Sequence, residues 1–370
     1  MSIKQINATI IFLLFFSCVE NKDSNIKSIY LKGEVMEFES SPLSICRPVQ
    51  ILTFDKYLVI VNRPPCEYGF TIIDKIKGQV VNHAVKYGKG PEEYAGIWAI
   101  VKSNILANHL EFFDVYKLGC YRINIEDMVN QANPEIIQLA QFKQIGEWSN
   151  IGKDKKEHYS RPSAAYYIKN DLLITTDYFE QGMIGLVDST GNLIETYFSY
   201  PNDDKANVPN ELKKGIYQFI FRSHPAKDIY VNAYFNSDWL LIYNKSNRKN
   251  LNIVFNNYTY LPKYDNLAGG PVINLKKSGN HEIGNVGLDV NKHRIYVLRS
   301  KKKLKEAVNR YRKDNSTPFI NVFNWNGDHL INLKLDHKVD CISVDSNDDF
   351  LYAISFLDDY TFIKYKLPDL

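Results

Sequence analysis

The sequence predicts an all-β fold built from a repeated four-stranded antiparallel unit. Three observations carry that prediction. Aromatic residues make up 13% of the 370 positions, with 25 Tyr and 20 Phe, a bias suited to pleated, half-buried strands. From residue 26 to residue 370, long amphipathic helical patterns are missing. Short β-branched and aromatic runs broken by Asn, Asp, Gly and Lys take their place. One phrase, an apolar strand, a polar turn and an aromatic-bearing strand, returns along the chain at a loose period.

The first element is an address. Lys4 supplies a positive charge and Ile10 to Phe16 is an unbroken apolar run. A spanning helix needs about 20 apolar residues, so residues 1–17 read as a signal peptide. Ser17-Cys18 directly after the run resembles a bacterial lipobox, in which the Cys18 thiol takes a diacylglyceryl group and becomes the first mature residue. Residues 18–27 are then the lipidated cysteine and a polar tether, with Glu20 and Asp23 resembling acidic export tags. The expected location is the cell envelope, as an outer-membrane lipoprotein, periplasmic or surface-exposed.

The repeated phrase is clearest at Gly287 to Leu298 and at Ile342 to Ile354. Weaker copies begin at Val49, Ala164 and Tyr217, and Ile97 to Phe113 is the poorest. Placing the second strands at Tyr57, Leu110, Leu172, Ile229, Ile295 and Leu351 gives six units spaced by 53 to 66 residues. A second strand pair follows each, best seen around Asn326-Gly327, a strong hairpin signal because both turn residues tolerate positive φ. Four antiparallel strands repeated six times is the pattern of a six-bladed β-propeller over residues 28–370. The last unit is one strand short, and Ser28 to Phe38 is expected to supply it, since open sheet edges are a liability.

Two stretches resemble a known family. Gly88-Lys89-Gly90-Pro91-Glu92-Glu93-Tyr94 is similar to the G-x-G-P-x-E-Y signature of TolB-like six-bladed propeller lipoproteins of Gram-negative bacteria. The run from Asn321 through the Asn326-Gly327 hairpin to Ile354 is similar to that family's closing phrase. The resemblance implies the propeller fold and an envelope location. It implies no particular activity, because the family's activity is largely unassigned.

Function is expected on one rim. The first-to-second and third-to-fourth strand turns share one face and read as short. The long segments, including 63–68, 86–94, 150–162, 201–215, 260–283 and 300–318, fall on the other. Either that rim is a binding face, or insertions are simply tolerated there. Candidate binding residues are Lys89, Glu92 and Tyr94 on the glycine-containing loop, Arg161, Arg222 and Arg299 at inner-strand ends, and Arg310 in a basic loop. The three inner-strand arginines either bind an anion in the channel or pair with carboxylates between blades. Tyr94 also reads as packing at a blade junction, with Glu92 or Glu93 capping backbone donors.

Of the remaining cysteines, Cys120 and Cys341 read as buried thiols. Cys46 and Cys66, at neighbouring strand ends, are either a disulfide or two separate thiols. No catalytic set, metal site or cofactor is expected: HExxH and G-x-S-x-G are absent, and Asp345 to Asp349 is more simply a turn than a calcium loop. The +3 balance of 45 basic and 42 acidic residues argues against nucleic acid. The expected protein is a monomeric, lipid-anchored binding module for an envelope protein or glycan, touching the membrane through its anchor only. A channel-mouth hydrolase or lyase of the NHL type is the alternative.

Overall fold

In a computed structural model the described residues are 26–38, 46–131, 133–142, 164–168, 172–175, 182–189, 193–198, 213, 217–235, 237–245, 249–254, 264–267, 270–273, 282–303, 316–356 and 360–369. Cys18, Arg161 and Arg310 lie outside them.

Two short strands come first, β1 (Ser28–Leu31) and β2 (Gly33–Val35). Sets of four consecutive antiparallel strands then form the first five sheets, and three consecutive strands form the sixth. The first sheet holds β3 (Pro48–Thr53), β4 (Tyr57–Asn62), β5 (Tyr68–Asp74) and β6 (Gln79–Lys86). The second holds β7 (Ile97–Lys102), β8 (His109–Asp114), β9 (Gly119–Asn124) and, after helix α1 (Ile125–Asn130), β10 (Ile136–Gln141). The third holds β11 (Ala165–Ile168), β12 (Leu172–Thr175), β13 (Ile184–Val187) and β14 (Leu193–Tyr197). The fourth holds β15 (Phe219–Ser223), β16 (Ile229–Tyr234), β17 (Trp239–Asn244) and β18 (Lys249–Val254). A two-stranded ladder, β19 (Tyr264–Leu267) with β20 (Gly270–Ile273), lies in a segment read from sequence as loop. The fifth sheet holds β21 (Asn285–Val290), β22 (Arg294–Arg299), β23 (Thr317–Asn324) and β24 (His329–Val339). The sixth holds β25 (Cys341–Val344), β26 (Phe350–Ser355) and β27 (Thr361–Lys366).

The central strands are apolar on both faces. In β4, Leu58, Val59, Ile60 and Val61 are all buried. A sheet sandwiched between two others has no water face, so its middle strands read as continuous apolar runs rather than alternating ones. The cores run between sheets. Val61 and Phe70 pack with Phe112 and Tyr121, joining the first sheet to the second. Phe113 and Cys120 pack with Ala165 and Val187. Tyr166 and Leu186 pack with Phe221 and Tyr230. Val231 and Ile242 pack with Leu288 and Val297. Leu298 and Val322 pack with Leu351 and Ile363. Tyr352 and Ile354 then pack with Ile51 and Ile60, returning from the sixth sheet to the first. The result is an all-β propeller fold.

The N-terminal segment does more than the single outer strand expected of it. β1 pairs in parallel with β24, with Ser28 opposite Asn332. β2 pairs antiparallel with β27, with Gly33 opposite Tyr365. The chain crosses between two sheets at Gly33, whose amide donates to Asp336 Oδ2 at 3.0 Å. A Cβ there would collide with Ile363 and the Tyr365 ring, so the crossing needs glycine.

Two local readings change. In the Asn326-Gly327 turn only Gly327 has positive φ, +92°. Asn324 Oδ1 accepts from the amides of Asn326 and Asp328, at 2.9 Å each, so a side-chain-capped loop replaces the two-residue turn. In the second sheet, Asn124 Oδ1 accepts from Glu126 N at 2.7 Å and caps α1, which buries Ile125 and Met128. That helix lies on the face expected to carry only short turns.

Candidate functional site at the channel mouth

The first strand of every sheet contributes to one central cavity of about 290 Å³. Three of these strands are irregular there. Register shifts fall between Pro48 and Gln50 in β3, Trp98 and Val101 in β7, and Asn285 and Gly287 in β21. Ala99 sits in the β7 irregularity with φ +50°. Bulges of this kind re-aim side chains. Here Trp98 is 42% exposed, and the Arg63 guanidinium lies 4.1 Å over its ring. Burial lowers the Arg63 pKa, with Arg47 adding to that and Tyr87 opposing it. Gln50 Nε2 donates to Ile100 O at 3.1 Å, tying the first inner strand to the second.

Deeper in, the central residue is one that sequence reasoning missed. Asp289 is 1% exposed, and its Oδ2 accepts from Ser343 Oγ at 2.7 Å, Val344 N at 2.8 Å and Lys102 Nζ at 3.2 Å. Arg222 Nε lies 3.6 Å from Asp289 Oδ1. The second, fourth, fifth and sixth sheets therefore meet on one carboxylate. A charged residue in the apolar phrase Gly287-Leu288-Asp289-Val290 is the signal that was available, because buried charges are rare unless paired.

Of the candidates named from sequence, Lys89 and Glu92 are exposed on the loop leading into β7. Tyr94 is buried. It meets Phe112 and Tyr121 edge-on, with centroids at 5.3 and 5.0 Å, and Lys117 Nζ lies 4.1 Å over its ring. Burial, then Asp114 and Glu92, pushes its phenol up to about 12. The loop's first glycine answers to close packing rather than to backbone conformation. Neither Gly88 nor Gly90 has positive φ, but a Cβ at Gly88 would collide with the Glu93 carboxylate, which accepts from Gly90 N at 2.9 Å. Glu93 thus supplies the expected cap.

Arg222 lines the cavity, as expected of a channel residue. Arg299 does not. Its Nη2 pairs with Asp238 from the β16–β17 turn, and its carbonyl accepts from Thr317 Oγ1 at 2.7 Å. It is an inter-sheet ion pair, the other reading given to these arginines. Cys46 and Cys66 form a disulfide with Cα atoms 5.6 Å apart, and Cys120 and Cys341 are buried thiols. Asp345 caps its own turn through Asp349 N and Phe350 N, at 2.9 and 3.1 Å. Asp348 pairs with Arg294 at 2.8 Å.

A family model described as TolB-like 6-blade propeller-like matches residues 22–347. No curated protein matches the sequence. Among solved structures, a DUF4221-family protein from Bacteroides vulgatus is similar at 12% identity and TM-score 0.55, covering 91% of this chain and 98% of its own. A candidate exported protein from Bacteroides fragilis is similar at 11% identity and TM-score 0.50, covering 93% and 100%. At such identities the likeness is one of fold.

Proposed function

The chain belongs to the TolB-like 6-blade propeller-like family, and from that premise we propose that it is an extracytoplasmic interaction module, tethered through Cys18. In this reading the four- and five-stranded sheets are six blades, and β2 completes the last of them. The loop-rich rim faces an envelope protein or glycan. The apolar run Ile10 to Phe16 followed by Ser17-Cys18 supports export and lipidation, and Glu20 and Asp23 after it support an outer-membrane site.

One observation carries the binding reading: the Arg63 guanidinium stacked on exposed Trp98 at the channel mouth. Trp and Arg dominate binding hot spots because each offers a large contact surface with directional polar groups. Lys89 and Glu92, on the loop entering the same strand, supply polar contacts at the edge. Arg161 and Arg310 belong to neighbouring rim segments by sequence. Tyr94 and Arg299 act from beneath, by fixing the loops.

The test is capture from the host envelope by the full-length chain in mild detergent, beside variants carrying Arg63→Ala with Trp98→Ala, or Lys89→Ala with Glu92→Ala. A protein or glycan held by the native chain and lost with the first pair is the expected result. Equal capture by all three would move the binding face elsewhere. Loss of membrane partition in Cys18→Ser tests the tether separately.

A further inference from the structure

Inside the channel, Arg222 carries more donors than partners. Its side chain is nine-tenths buried, at 10% exposure. Nη1 donates to Phe221 O at 2.8 Å. Nε makes no hydrogen bond, and neither does Asp289 Oδ1, 3.6 Å away and beyond hydrogen-bond reach. A guanidinium has five N–H groups, and the Nε–H of Arg222 is buried with no hydrogen-bond partner, which is costly. Such a group at a cavity wall is built to meet an acceptor that enters the cavity.

Charge and shape define that acceptor. Lys102 and Arg222 face the single carboxylate of Asp289, leaving one surplus positive charge at the inner end. Ile220 and Arg222 share one face of β15 and Gln218 directly precedes the strand, so the cavity runs from an exposed amide at its rim end to a cation at its inner end. The walls between include Ile100, Ala164, Val286 and Ile342. Asp340 also lines the cavity, and its Oδ2 is engaged by Phe356 N at 2.8 Å. Arg63 and Trp98 stand at the mouth. The volume, about 290 Å³, sits near the lower end of small-molecule sites, roughly 300–1,000 Å³.

We propose that the central channel is a binding site for a small organic monocarboxylate. Its carboxylate lies on Arg222 and its apolar body lies along Ile100, Ile220 and Val286 beneath Trp98. A carboxylate matches the planar fork of a guanidinium and brings one negative charge to one surplus positive charge. Inorganic phosphate is a poor fit, because it brings extra charge into apolar walls and has no apolar body to fill them. The site shares Arg63 and Trp98 at its mouth with the rim that meets a macromolecular partner, but its preference for acids rests on Arg222 and is read without that partner.

The experiment uses the full-length chain in mild detergent, with phenylacetate and 4-phenylbutyrate, their neutral amides, and inorganic phosphate. Binding is read by calorimetry and by ligand-observed NMR. The acids are expected to bind at least tenfold more tightly than the amides, with phosphate unable to displace them. Arg222→Gln should erase the difference between acid and amide, and Arg222→Lys should keep part of it. Ile220→Trp, which fills the cavity without touching a charge, should block both acids and covers the case in which Arg222→Gln fails to fold. Equal binding of acids and amides, binding of neither, displacement by phosphate, or an acid preference that survives Arg222→Gln would each overturn the proposal.

Discussion

Lys102 and Asp289 are 187 positions apart in sequence, and Nζ of the first lies 3.2 Å from Oδ2 of the second. The contact joins the second sheet to the fifth across the channel, and the Lys102 ammonium also reaches Val344 O at 3.3 Å in the sixth. Asp289 thus faces two cations, Lys102 and Arg222, and accepts from two further donors in the sixth sheet.

Asp289→Asn is therefore expected to destabilise the fold by about 3–5 kcal/mol, because Lys102 and Arg222 would be left facing each other without a counter-ion. Chemical denaturation checks it. A loss under about 1 kcal/mol would mean that water reaches and solvates this centre.

Tyr94 predicts a contrast between two substitutions. Tyr94→Ala removes a ring packed on Phe112 and Tyr121 and should cost about 3–5 kcal/mol, as aromatic truncations in cores do. Tyr94→Phe keeps the ring and should cost under about 1.5 kcal/mol. Thermal unfolding of the two variants, side by side, separates a packing role from a role for the hydroxyl.

The Cys46–Cys66 disulfide closes a loop across a sequence separation of 20 and holds the rim end of the first sheet. Chain entropy gives such a link about 3 kcal/mol. Cys46→Ser with Cys66→Ser should lower the unfolding midpoint, and added reductant should lower the native midpoint without moving the variant's. A native midpoint indifferent to reductant would contradict the bond.

Acid should loosen the N-terminal strand. Burial raises the Asp336 carboxyl, but hydrogen bonds from His337 and Gly33 N, with the Tyr365 hydroxyl nearby, outweigh it and hold the pKa below the ordinary value. A depressed carboxylate adds stability above its unfolded pKa, and that stability is lost as pH falls through the folded value. Amide exchange of Gly33 to Val35 should therefore accelerate more than that of β26 below about pH 4. Asp336→Asn should remove the extra pH dependence. Parallel behaviour of β2 and β26 in the native chain would sever Asp336 from the anchoring of β2.

The repeat was legible where local chemistry is strict. All six positions marked as second strands, from Tyr57 to Leu351, fall in the second strand of a sheet. A strand covered on both faces must be apolar throughout, and the turn before it must be polar, so the pattern survives in one dimension. The poorest copy, Ile97 to Phe113, was blurred by the irregularity around Ala99, which breaks the period of two. That same irregularity belongs to the channel mouth. Function-bearing geometry here departs from the repeat, and so it escapes a search for the repeat.

By itself, then, the sequence determined the all-β class, the fourfold strand unit, the two buried thiols and a carboxylate cap on the glycine-containing loop, from Glu92 or Glu93. Each depends on neighbours within a few residues, or on burial that composition records. Only the tertiary structure decided that Cys46 bonds Cys66, that Arg299 is taken by Asp238 while Arg222 lines the channel, and that β1 and β2 part company at Gly33. It alone brought Lys102, Arg222, Asp289 and Ser343 to one point. Those pairings join residues from different sheets, and no spacing along one strand encodes which charges face each other across a channel.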